Sequence, residues 1–150
     1  LRHALFRLPA KANPDIYPRV TFTEPEVAHV GLSEDEARSR HGKRIAVMRW
    51  PYSENDRAQA ERATEGFVKV IATANGRILG ASILGAHAGE LIQPWALAIT
   101  AGLGMKAMAD TIVPYPTFGE INKRVAFAYF QPRLQSPMLR SALKLMRIFG

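Results

Sequence analysis

At 150 residues, with 47% hydrophobic and 22% charged side chains, the chain has the composition of one ordinary globular domain, not of a disordered segment. It holds no cysteine, which excludes a disulfide scaffold or a thiol catalyst supplied by this chain. The net charge of +7 invites a nucleic-acid reading, but much of the excess lies at the ends (Arg2, Arg7, Lys11; Arg133, Arg140, Lys144, Arg147), and no basic run carries the interleaved aromatics of a stacking surface, so no nucleic-acid partner is expected.

In chain order, residues 1–18 read as a lead-in. Pro9, Pro14 and Pro18 forbid regular structure there, and with leucine at position 1 the segment is expected to be the joint by which a domain hangs from something upstream. Residues 19–23 and 27–31 alternate as strands on either side of Glu24-Pro25. Ser33 with Glu36 three residues later is a capping box, so a short acidic-first helix should start there and stop at Gly42. Residues 44–50 read as a strand halted by Pro51, and the polar stretch 53–64 as a loop or ragged helical turn.

The clearest element is a hairpin. Residues 66–73 and 77–84 flank Asn75-Gly76, a sequence suited to a type I′ turn. A long helix over residues 89–104 should follow, with Leu91, Ile92, Trp95, Ile99 and Leu103 on one stripe and alanines elsewhere. Pro94 should kink it or delay its regular start. A short helix is expected at 106–110. Next comes the stiff loop Val113-Pro114-Tyr115-Pro116, where Thr117 and Glu120 have capping-box spacing and predict a helix from about residue 118 to 130. Residues 138–149 form a basic amphipathic pattern, expected to pack on protein and not on a membrane. The class is α+β: an antiparallel sheet of three to five strands with helices packed on one side. The four histidines share no metal-ligand spacing, so no metal site is expected, and the two tryptophans read as core or interface residues. No apolar run approaches the roughly 18 residues of a bilayer span and no signal-peptide pattern is present, so the expected setting is cytoplasmic.

Six stretches together carry a resemblance. Thr23-Glu24-Pro25-Glu26-Val27-Ala28-His29-Val30-Gly31 is followed in order by Asn55-Asp56-Arg57-Ala58, Gly66-Phe67-Val68-Lys69, Ile78-Leu79-Gly80-Ala81 and Gly89-Glu90-Leu91-Ile92. The last is Tyr115-Pro116-Thr117-Phe118-Gly119-Glu120. Over residues 19–130 the chain resembles the C-terminal dimerisation domain of pyridine nucleotide-disulfide oxidoreductases, the family of dihydrolipoamide dehydrogenase, glutathione reductase and mercuric reductase. The resemblance implies a homodimer, with FAD and NAD(P)H domains and a redox cysteine pair upstream. It also implies that the Tyr115–Glu120 loop completes the partner subunit's flavin and disulfide site, with Tyr115 and Pro116 facing the partner's FAD, and that the Tyr115–Pro116 bond is cis. Residues 1–18 would then be a remnant of the FAD domain and residues 131–150 an extension beyond the family's pattern.

One departure bears on the chemistry. The family's loop carries a histidine, oriented by the glutamate and acting as a base; here Tyr115 stands in its place. A phenol of pKa about 10 is ionised to roughly one part in a thousand at pH 7, so using it as a base costs about 4 kcal/mol. Tyr115 is suited instead to donate a hydrogen bond or proton, or to ligate a soft metal if deprotonated. Mercuric reductases resemble the chain in carrying tyrosine there, but they end in a cysteine pair that is absent here. The catalytic candidates are Tyr115 and Glu120, although Glu120 also has a purely structural role open to it as a helix cap. A dimerisation module without chemistry remains the competing reading, and the isolated chain is expected to be inactive.

Overall fold

The computed structural model describes residues 16–134. The expected joint over residues 1–18 lies mostly outside these, and the amphipathic segment 138–149 lies wholly outside. Five strands form one antiparallel sheet: β1 (Arg19–Thr21), β2 (Glu26–Gly31), β3 (Ile45–Pro51), β4 (Phe67–Thr73) and β5 (Ile78–Gly85), in the spatial order β1-β2-β5-β4-β3. Alternation assigns the faces. Ala28 and Val30, Val68 and Val70, and Ala81 and Ile83 point into the main core, which is roofed by helices of the C-terminal half. Those helices are α3 (Ala88–Leu91), α4 (Gln93–Ala101), α5 (Met105–Asp110) and α6 (Glu120–Ala128), with a last turn, α7 (Gln131–Leu134).

The one-sided arrangement expected for the helices holds for this group. The early helix α1 (Glu34–His41) departs from it. With Leu32 and Ala37 it seals a smaller cluster on the opposite face, over Ile71 and Leu79. Its capping box forms as expected, Ser33 N–H donating to Glu36 at 2.8 Å and Glu36 N–H to the Ser33 hydroxyl at 3.3 Å. Gly42 terminates it at φ 62°. On the same face Glu34 accepts from Arg38 at 2.8 Å and lies 3.7 Å from both Arg49 and Lys69, which ties α1 to β3 and β4.

Several expected boundaries move for identifiable reasons. The polar stretch after Pro51 is mostly ordered, as a 3-10 turn (Tyr52–Glu54) and helix α2 (Asp56–Glu61) capped by Asn55. The hairpin loop holds three residues, not the two of a type I′ turn. Among the described non-glycine residues only Arg62 and His87 have positive φ, so Asn75 cannot take its place in such a turn, whereas Gly76 sits at φ 88°. Thr73 N–H donates to Arg77 O and Gly76 N–H to Thr73 O, each at 2.9 Å, which closes the loop one residue further out. Met105 N–H then holds Gly76 O at 2.8 Å, so a tertiary contact fixes the turn.

The long helix expected over 89–104 is two helices. Pro94 has no N–H to continue the ladder, so α3 stops at Leu91 and α4 restarts with the proline in its first turn, ending at Gly102 (φ 69°). Leu91, Ile92 and Trp95 are buried as the stripe requires, but Leu103 is exposed and Ala98 takes the inner place. The expected capping box at Thr117 does not form. The Thr117 hydroxyl donates instead to Pro114 O at 2.8 Å, closing the proline turn, and α6 begins two residues later than expected, at Glu120.

Candidate functional site

The segment between α5 and α6 is exposed at its front and fastened at its back. Asn55, 3% exposed, does most of the fastening. Its Oδ1 accepts from Ala58 N–H at 2.9 Å, capping α2, and its Nδ2 donates to Thr117 O at 3.1 Å, so one side chain joins a helix start to the proline loop. Phe118 packs its ring against His87 (centroids 4.8 Å apart) and Tyr52 (6.3 Å). Tyr52 is wholly buried and donates to Ala86 O at 2.9 Å. Its ring lies where a side chain at position 85 would go: a Cβ on Gly85 would come within 2.4 Å of it, and φ there is 149°. The Tyr115–Pro116 bond is cis, as expected, and so is Glu24–Pro25, which nothing in the sequence had suggested.

At the front, Tyr115 is 67% exposed and Pro116 is exposed beside it. The Tyr115 hydroxyl donates to Asp56 Oδ2 at 2.6 Å. That bond, reinforced by the charge of Asp56, raises the phenol above its ordinary value of about 10. Glu120 accepts from Arg124, at 2.9 Å from Nε and 2.7 Å from a terminal nitrogen. Tyr115 and Glu120 therefore line one cleft, of about 470 Å³ with Trp50, Lys123 and Phe127, yet no hydrogen bond joins them. Asp56 stands where the sequence argument had expected a glutamate to orient residue 115. The stretch Asn55-Asp56-Arg57-Ala58 carried the signal, but it marked a place in the chain without giving either residue a task. Trp50 borders the cleft with its Nε1 buried and without a hydrogen-bond partner among the described residues, whereas Trp95 is fully buried in the core. Among the described residues no three His, Asp or Glu side chains gather as a metal site, and no helix is long and apolar enough to cross a membrane.

The packing behind the loop has a consequence at high pH. Burial, with Glu26 nearby, pushes the Tyr52 hydroxyl far above its ordinary range. A group whose pKa is raised on folding stabilises the fold fully below its unfolded value, about 10, and loses that contribution as pH climbs towards the folded value. Of the four tyrosines, Tyr52 should be missing from the phenolate absorbance until the domain unfolds in alkali. A spectrophotometric titration of Tyr52→Phe that kept the full late step would contradict this.

Comparison with known proteins agrees with the geometry. Residues 17–126 match the pyridine nucleotide-disulphide oxidoreductase dimerisation domain. The chain is 39% identical over 110 residues to a dihydrolipoyl dehydrogenase of Bacillus subtilis, covering 73% of this chain and 23% of that protein. It is likewise 39% identical over 117 residues to the mitochondrial dihydrolipoyl dehydrogenase of Dictyostelium discoideum, covering 77% and 24%. Among solved structures, LpdA from Mycobacterium tuberculosis superposes with a TM-score of 0.77 at 25% identity, over 85% of this chain and 28% of that one. The HOCl-induced flavoprotein disulfide reductase RclA from Escherichia coli gives 0.74 at 28% identity, over 84% and 29%. The chain thus spans about a quarter of the length of the curated relatives it matches. By its matched sequence, its five-stranded sheet and its helical roof, it belongs to the pyridine nucleotide-disulphide oxidoreductase family, as a dimerisation domain.

Proposed function

We propose that residues 19–130 serve a flavin-dependent NAD(P)H disulfide-type oxidoreductase as its dimerisation domain, and that the Tyr115–Glu120 loop is presented to the partner subunit's FAD and disulfide site. In this reading the enzyme is a cytoplasmic homodimer, with the FAD and NAD(P)H domains preceding residue 19 and an extension beyond residue 130. The observation that carries it is the contrast between the two sides of the loop. Behind, every anchor is internal; in front, Ile112 is 93% exposed, Tyr115 67% and Phe127 49%, an apolar rim that the described residues leave uncovered. Such a surface suits a neighbouring subunit.

The residues fit one wall of a flavin site and not its enclosure. The 470 Å³ cleft is open to solvent, and Pro116 lies in a second depression with Arg57 and His87, so the Tyr115–Pro116 bend forms a ridge between two hollows. When bound in the intact enzyme, the flavin supplies the relay of reducing equivalents from nicotinamide to disulfide. This chain's share is to orient and exclude water. Tyr115 and Pro116 would face the flavin, and Tyr115, held protonated, serves as a hydrogen-bonding group and not as a base. Glu120 pairs with Arg124 one turn further along α6.

The test is NAD(P)H-dependent reduction of a lipoyl disulfide by the intact protein, with and without Tyr115→Phe. Loss of the hydroxyl should lower kcat by at least about tenfold with the dimer preserved in sedimentation. Unchanged turnover would leave the loop as structure only and favour the dimerisation module without chemistry. The isolated 150-residue chain should neither bind FAD tightly nor oxidise NAD(P)H.

A further inference from the structure

We propose that Asp56 is the positioning residue for Tyr115, fixing the phenol across the mouth of the cleft with its proton directed away from the partner and its oxygen lone pairs directed out. The inference rests on the loop role proposed above. Three observations carry it. First, the hydroxyl is engaged at 2.6 Å by Asp56 Oδ2, and Asp56 is not among the residues that line the cleft beside Trp50 and Glu120. A donor already committed to a carboxylate leaves its oxygen to face the cleft as an acceptor. Second, Asp56 is the first residue of α2, and the residue before it, Asn55, is buried and bonded at once to α2 and to the loop. Pair and loop are therefore referenced to one buried side chain, which sets the backbone at both ends of the Tyr115–Asp56 bond. Third, the glutamate that might have oriented residue 115 is occupied by Arg124.

The arrangement specifies what approaches the loop. A tyrosine oxygen with its proton turned inward receives hydrogen bonds, so the group it meets is a donor, such as a protonated thiol. No proton is transferred in this step. The thiol S–H donates to the Tyr115 oxygen while the phenol O–H stays on Asp56. This differs from a histidine–glutamate pair, whose imidazole accepts the proton outright.

The experiment is a titration of Tyr115 in the intact protein by ring-carbon NMR, assigned with Tyr115→Phe and repeated in Asp56→Asn and Asp56→Glu. Asparagine keeps the shape and removes the charge, so the Tyr115 pKa should fall back towards that of a free phenol, and glutamate should restore part of the shift. The same Asp56→Asn enzyme should lose roughly ten- to a hundredfold in kcat, with KM for NAD(P)H unchanged, because the ring is misplaced and not removed. Identical titration curves in wild type and Asp56→Asn would overturn the positioning role. A moved titration with unaltered turnover would overturn the loop's catalytic part, on which the inference depends, while showing the pair to be real.

Discussion

Asn55→Ala should lower the unfolding free energy by about 2 kcal/mol and release the proline loop while the sheet stays intact. The magnitude follows from two separate losses. A helix cap is worth about 1 kcal/mol, and Thr117 O, in a part-buried site, loses one of two donors and keeps Glu120 N–H at 3.3 Å, at a further cost of about 1 kcal/mol. Asn55→Ser separates the two terms. A serine at the cap keeps an acceptor for Ala58 N–H but is too short to reach Thr117, so α2 should survive and the loop should not. Urea denaturation gives the total, and amide hydrogen exchange over residues 113–119 gives the local part. If serine restored loop protection to the wild-type level, the link between Asn55 and Thr117 would be of no consequence. The Tyr115–Asp56 bond should weaken in the same variants, since both of its partners are held by this residue.

Much of the sheet was legible because its signals are local. Alternation along β4 and β5, the Ser33–Glu36 box and Gly42 each act over a few residues, and each reappears in the structure. Pro94 was legible in kind but not in extent: a missing N–H must interrupt a ladder, yet whether the break kinks one helix or makes two depends on what packs on either side. Two good local patterns did not form: at Thr117-x-x-Glu120 the threonine hydroxyl closes back onto Pro114 O, and at Asn75-Gly76 the loop closes between Thr73 and Arg77, with Gly76 O held from across the fold by Met105 N–H.

The same limit governs the candidate site. Tyr115 could be found because its prolines and its place in a family pattern mark it. Asp56 lies 59 residues away and bonds to it only once the strands have brought α2 beside the loop, so no spacing rule reports the pair. Asn55 was hidden for a further reason. A polar residue in a polar run reads as loop surface, and only the fold reveals that it is 3% exposed with both ends of its amide engaged.

Asn122 sets the second large effect. It is 5% exposed in α6, its Oδ1 accepting from Trp95 Nε1 at 2.8 Å and its Nδ2 donating to Leu91 O at 2.9 Å. One amide thus satisfies the indole of α4 and the last carbonyl of α3 at the break that Pro94 creates. Asn122→Ala should cost about 3–4 kcal/mol, since a buried donor and a buried acceptor are both left unpaired, at about 1–3 kcal/mol each. Asn122→Leu fills the space but leaves the same two groups orphaned, so it should be little better. Adding Trp95→Phe to Asn122→Leu removes the indole N–H as well, and part of the loss should return, with a coupling of about 1–2 kcal/mol in the double-mutant cycle. Purely additive losses in chemical denaturation would mean that the indole–amide bond contributes nothing. Because α6 begins at Glu120, the first turn of the helix that Asn122 docks is also the floor of the Tyr115 cleft. Turnover of Asn122→Ala should therefore fall at temperatures where the sheet is still folded, since the cleft loosens before the core melts.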